Sequence, residues 1–223
     1  MSLFPVHARS RPLNRAAILG QLLLTAAILG MVPGNVPKLL LMLLVWGFGF
    51  GRLSRGEVLM MLGVNLLFFV MNAGALQKGI FRFQHPDFLG MPVYEYFMWG
   101  FYTLNVIRFM DAPPSPDRRG LVVVFAVLFS IPFSTIADST LLLAVTAAIL
   151  GLSLVFFHEA ADLAFTAYMV AMGALIEYVG VWTGQWSYPA NPVGGVPLWF
   201  ITMWGGVGLF SRRLLTPLLP RAR

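Results

Sequence analysis

The chain has 223 residues, 58% of them hydrophobic and only 11% charged, with a mean hydropathy of +0.79, a composition outside that of soluble domains. A net charge of +6 and a sequence pI near 10.2 invite a nucleic-acid reading, but the basic residues are scattered between apolar runs and form no aromatic-interleaved patch. The absence of cysteine excludes disulfides, thiolate metal sites and cysteine nucleophiles.

The N-terminal segment, with His7, Arg9, Arg11 and Arg15, leads into an apolar run too long for a signal-peptide core and without a clean small-x-small cleavage site, so it reads as a retained first span. Apolar runs of membrane length, about 20 residues at roughly 1.5 Å rise each, fall near residues 16–32, 36–51, 57–76, 91–110, 120–137, 139–157, 161–181 and 195–211. The break between the fifth and sixth rests on Pro132 and on Asp138-Ser139 as a helix start; without it the count is seven. The fold class is therefore all-α, a polytopic transmembrane helical bundle of about eight spans, in one membrane domain over residues 1–223. Only residues 77–90, 111–119 and 182–194 form longer connections, and no internal repeat stands out, which argues against a repeat-built transporter.

An N-terminus inside the cell puts Arg9, Arg11, Arg15, Arg52, Arg55, Arg108, Arg118, Arg119, Arg212, Arg213, Arg221 and Arg223 on the cytoplasmic side and leaves Lys38, Lys78 and Arg82 outside. Twelve against three is a clear positive-inside bias. It predicts an integral protein of a bacterial or archaeal cytoplasmic membrane with both termini cytoplasmic. Arg108 is expected to snorkel to that interface.

Residues 177–204 bring a carboxylate, Glu177, to the end of one apolar helix and open the next with Pro197. Thr183, Gln185, Trp186, Ser187, Tyr188 and Asn191 lie between. An ionisable residue inside a membrane is costly to keep and reads as functional by default. The topology puts Glu95, near the start of the fourth helix, at the same depth. Glu95, Trp99 and Tyr102 share one face of that helix, and Thr166, Val170, Gly173 and Glu177 share one face of the seventh. A carboxylic acid in an apolar pocket is a usable proton donor, and the π faces of the cluster Tyr94, Tyr96, Trp99, Tyr102, Trp182, Trp186, Tyr188, Trp199 and Trp204 would stabilise a developing cation. The plainer readings are an interfacial aromatic belt, above all for Trp186 and Tyr188, and a structural pairing of Glu95 or Glu177 with Lys78, Arg82 or backbone.

A second polar group, His158, Glu159 and Asp162, opens the seventh helix, with His158 and Asp162 at i,i+4 spacing. It lacks the ligands a zinc site needs, and acids in a first helical turn suit the helix dipole, so no metal is expected. The segment Gln84, His85, Pro86, Asp87 is loop turn chemistry or the rim of the pocket. Nucleotide-binding, hydrolase-elbow and zinc-protease motifs are missing from the sequence.

The pattern Glu177-x-x-Gly180, Thr183-Gly184, Tyr188, Val196-Pro197 and Trp204 resembles the C-terminal signature of integral-membrane carotenoid hydratases of the bisanhydrobacterioruberin hydratase type. More distantly it is similar to small lycopene-cyclase-like membrane proteins. The resemblance covers roughly the last 50 residues, and Gln185-Trp186 stands where a glycine-containing turn is usual in that family. It implies cofactor-free, acid-initiated protonation of an isoprenoid alkene, followed by hydration or cyclisation. The catalytic residues are then Glu177 and Glu95, in either order, with Trp99, Tyr102, Trp182 and Tyr188 binding a hydrophobic lipid substrate. A carrier or binding protein for a hydrophobic molecule, or a membrane scaffold, remains the alternative from another class.

Overall fold

The structure is a computed structural model, and it describes residues 11–113, 115, 118–189 and 193–219, with residues 11–14 described for backbone only. His7, Arg9, Asn191, Arg221 and Arg223 lie outside the described residues. Among the described residues eight α-helices follow in chain order: α1 (Arg11–Met31), α2 (Asn35–Phe50), α3 (Arg55–Gln77), α4 (Glu95–Met110), α5 (Arg119–Thr135), α6 (Ser139–Phe156), α7 (Ala160–Trp182) and α8 (Trp199–Phe210). The proposed break between the fifth and sixth helices is present. Pro132 sits in the last turn of α5, and the Asp138 side chain accepts from the Leu141 N–H at 2.7 Å to start α6.

Helices α3, α6 and α7 are long and apolar enough to cross a membrane, and α1, α2 and α5 contribute shorter apolar stretches. Large apolar side chains such as Leu40, Leu59, Leu66 and Val155 remain exposed on the outside of the bundle, between 61% and 70%. Water would penalise such a surface, and lipid solvates it. The chain is an integral membrane protein of helical fold.

At the centre stands α4, buried continuously from Met98 to Val106 and flanked by α1, α3 and α7. Its last turn is tied to α3 by Arg108, whose Nε donates to Glu57 Oε1 at 2.7 Å while Nη1 donates to the Phe50 carbonyl at 2.6 Å. Arg108 is thus paired rather than simply snorkelled, because the Ser54–Glu57 capping box sets a carboxylate within its reach. Helix α8 packs mainly on α7 and α6.

At one end of the bundle the loops after α3 and α7 meet in a two-stranded antiparallel clip, β1 (Arg82–Phe83) with β2 (Trp186–Ser187), in the register Arg82 to Ser187 and Phe83 to Trp186. Gln84 extends it: its N–H donates to the Gln185 carbonyl at 2.9 Å and its Nε2 to Ser187 Oγ at 2.9 Å. His85 and Asp87 act in the same loop. Asn35 Nδ2 donates to the His85 carbonyl and to Asp87 Oδ2, and Asp87 Oδ2 also accepts from the Val93 N–H. This is loop closure, and none of these residues lines the cavity below.

Candidate functional site

Beneath the clip, α3, α4, α7 and α8 enclose a cavity of about 50 Å³, lined by Asn72, Phe81, Phe83, Glu95, Trp99, Tyr102, Ile176, Glu177, Trp186, Tyr188, Trp199, Met203 and Trp204. Both glutamates singled out by topology therefore face one space. So do Trp99, Tyr102 and Tyr188. Trp182 does not: it is 72% exposed, packs on Tyr178 and donates its indole N–H to the Gly194 carbonyl at 2.9 Å. One helical position past Val181, its side chain turns to the outside of the bundle, where an interfacial role suits it.

Trp186 and Tyr188, the residues best suited to an aromatic belt, are instead buried against Glu177. Glu177 is only 5% exposed. Its Oε2 accepts from Trp186 Nε1 at 3.0 Å and from the Tyr188 hydroxyl at 2.7 Å, and its Oε1 accepts from Trp204 Nε1 at 3.1 Å. Two small residues on α7 make this possible. A Cβ on Gly180 would lie 2.0 Å from the Trp186 ring, and one on Gly173 would lie 2.2 Å from Trp204. The predicted face of α7 is the one that packs on α8, since Thr166 and Val170 lie against Gly205.

Glu95 is held differently. Asn72 Nδ2 and Trp99 Nε1 both donate to Oε1, each at 3.0 Å, and Oε2 has no hydrogen-bond partner among the described residues. The carboxyl is partly accessible, on the cavity side. Trp99 and Trp204, which anchor the two glutamates, stack on each other with ring centroids 4.8 Å apart, and Tyr102 meets both rings edge-on. The two carboxyls are thereby coupled through one aromatic pair.

Among the described residues neither glutamate pairs with a cation, so the structural pairing with Lys78 or Arg82 is not formed. Lys38 is a cation whose burial the sequence did not announce. Placed outside by charge counting, it is 4% exposed, donates to Gln185 Oε1 and lies over the Tyr94 ring. Its position one turn into α2 was the available signal.

The His158, Glu159, Asp162 group sits at the opposite end of the bundle. His158 is exposed, with Nδ1 3.0 Å from the Val155 carbonyl, and makes no i,i+4 contact with Asp162. Asp162 and Glu159 instead meet Arg212 and Arg213, which follow α8 on a π-helical turn (Ser211–Leu215). Arg212 bridges Asp162 and Glu159. Arg213 Nε donates to Asp162 Oδ1 at 2.9 Å and its Nη2 to Glu159 Oε1 at 3.0 Å. Arg212 stands beside Glu159 and holds its carboxyl below the usual carboxylate range, with Ser115 Oγ donating at 2.9 Å. The described residues contain no group of three metal-ligating side chains.

No protein-family model matches the chain, and no curated protein matches it in sequence. In fold it is similar to the crystal structure of MvINS, a mycobacterial Insig homolog from Mycobacterium vanbaalenii, with a TM-score of 0.64 and 16% identity over 75% of this chain and 95% of that one. A cross-linked trimer of MvINS gives the same score and identity over 75% of this chain and 96% of that chain. At that identity the likeness shows the fold. It overturns the resemblance to the carotenoid hydratases. The residues that carried the resemblance have a local physical explanation: Gly180 admits Trp186, and the turn beyond it returns Trp186 and Tyr188 over Glu177.

Proposed function

We propose that the cavity between Glu95 and Glu177 is the active site of a membrane enzyme that protonates a trisubstituted alkene of an isoprenoid-type lipid. The observation that carries this reading is the asymmetry of the two carboxyls. Trp indoles only donate, and all three partners of Glu177 present donors, a set that suits an acceptor held in place. Glu95 keeps one oxygen open toward the cavity, where a proton can be carried to substrate. The order that sequence left open then becomes Glu95 as acid and Glu177 as a fixed partner.

In the step, the Glu95 carboxyl transfers its proton to the less substituted alkene carbon, leaving a carboxylate and a tertiary carbocation. Indole and phenol faces of Trp99, Tyr102 and Trp204 are worth up to about 2 kcal/mol to a desolvated cation. Water or an internal double bond then captures the cation, and the proton released returns to Glu95. In the orientation with both termini cytoplasmic, the site belongs to the outer half of the membrane.

The test is expression in a host making acyclic isoprenoid lipids, with extracted lipids examined by mass for gain of one water or for an isomer of equal mass. The wild type is expected to convert a lipid and Glu95→Gln to convert none, while still folding because its amide oxygen can accept from Asn72 and Trp99. Unchanged lipids in the wild type, or turnover retained by Glu95→Gln, would overturn the assignment and leave a carrier or scaffold.

A further inference from the structure

A second, smaller cavity of about 30 Å³ adjoins the first. It is walled by Phe68, Met71 and Ala75 of α3, Ile80, Phe133 of α5 and Leu142 of α6, and shares Asn72, Phe81, Trp199 and Met203 with the first chamber. Apart from the Asn72 amide and the Trp199 indole, its lining is hydrocarbon and thioether, so it contains no acid, base or nucleophile. The two chambers meet at an aromatic partition: Phe68 stacks on Trp99 with centroids 3.7 Å apart and planes 6° apart. Both carboxyls, Glu95 and Glu177, lie on one side of that stack.

We propose that this second chamber is a binding site for the hydrocarbon chain of the same ligand, taking one flexible acyclic chain that passes the Asn72, Met203 and Trp199 junction. The inference rests on the reading of the first chamber as the reacting end. Three observations carry it. The chambers share Asn72, Phe81, Trp199 and Met203 as lining, so a chain occupying both would lie against these side chains. The lining offers an apolar occupant dispersion and denies a polar one partners. Phe68, Ala75, Phe133 and Leu142 are between 1% and 8% exposed, so the space lies within the bundle and is distinct from its lipid-facing surface. Of the four indoles lining the first chamber, three are bonded to glutamates, whereas Trp199 has no acceptor among the described residues. Trp199 and Met203 can therefore shift around a chain without displacing a bond to either carboxyl, while Asn72 at the same junction stays bonded to Glu95.

The experiment uses the full chain in detergent and an acyclic prenyl alcohol bearing a photoreactive diazirine two isoprene units back from its terminal alkene. Illumination is expected to label Met71, Phe133 or Leu142 above the lipid-facing Leu62 and Leu66, and Ala75→Leu to cut chamber labelling by about tenfold, equivalent to about 1.4 kcal/mol of affinity, with outer labelling unchanged. Equal labelling inside and outside in the wild type overturns the proposal, whatever the variant does. So does chamber labelling that Ala75→Leu leaves intact in a folded protein. Glu95→Gln is expected to keep chamber labelling. Labelling without lipid conversion in the host sinks only the catalytic reading, and conversion without chamber labelling sinks only this one.

Discussion

Helix α7 buries a carboxylate at each end, and the two ends are satisfied in opposite ways. Asp162, fully buried, meets Arg212 and Arg213 and shares them with Glu159. Glu177, 5% exposed, meets two indoles and a phenol. Both carboxyls are costly to desolvate. At the arginine end two acids face two cations, which makes a closed electrostatic lock. At the clip end the donors are neutral, the partner Glu95 keeps an oxygen open, and no described cation occupies the space between. The first arrangement consumes its charges in holding helices, and the second keeps its polar capacity available to a ligand.

The comparison is broken most severely at the arginine end. Asp162→Asn removes one of two anions from a buried cluster and leaves two arginines facing Glu159 alone. Breaking such a pair costs about 3–5 kcal/mol, so thermal unfolding in detergent is expected to shift strongly downward, or the protein to be recovered unfolded. The clip end should be more forgiving. Gly180→Ala drives a methyl into the Trp186 ring, and overpacking of this kind costs about 1–3 kcal/mol. Its signature is local: Trp186 leaves Glu177, and tryptophan emission shifts as an indole loses its buried carboxyl partner. A melting loss in Gly180→Ala equal to that in Asp162→Asn would make the clip end the lock and reverse the contrast.

Helix number and boundaries were legible because apolar runs of membrane length, Pro132 and the Asp138 cap all act locally. The pairing of Glu95 with Glu177 was legible for a related reason: two helices of opposite direction put two acids at one depth, and a 100° period put Trp99 and Tyr102 beside Glu95. Contacts between distant segments were not legible. Nothing local to Arg212 or Arg213 says that a π-helical turn carries them onto α7, and charge counting assigns them only to the cytoplasmic side. Trp182 and Trp186 look alike in sequence, yet Gly180 creates a slot for Trp186 alone. The family likeness failed for the same reason, since glycines and aromatics at those spacings encode a tight helical hairpin more directly than a substrate.

The smallest effect sharpens the comparison through pH. Glu159 caps α7 at the edge of the arginine cluster, with its side chain half exposed, and the hydrogen bond from Arg212 lowers its pKa in the folded protein. A carboxyl whose folded pKa is depressed contributes stability that is fully present above its unfolded value, near about 4.3, and is lost as pH falls through the lower folded value. Solvent screening limits the contribution to about 1 kcal/mol or less. Wild type and Glu159→Gln should therefore melt a small, constant interval apart from neutral pH down to about 5, and the interval should close below about 4. An interval unchanged through the acid range would mean that Glu159 acts by packing and capping alone. Asp162 would then be the only acid that the arginines need, and the lock would be a buried triad with Glu159 at its rim.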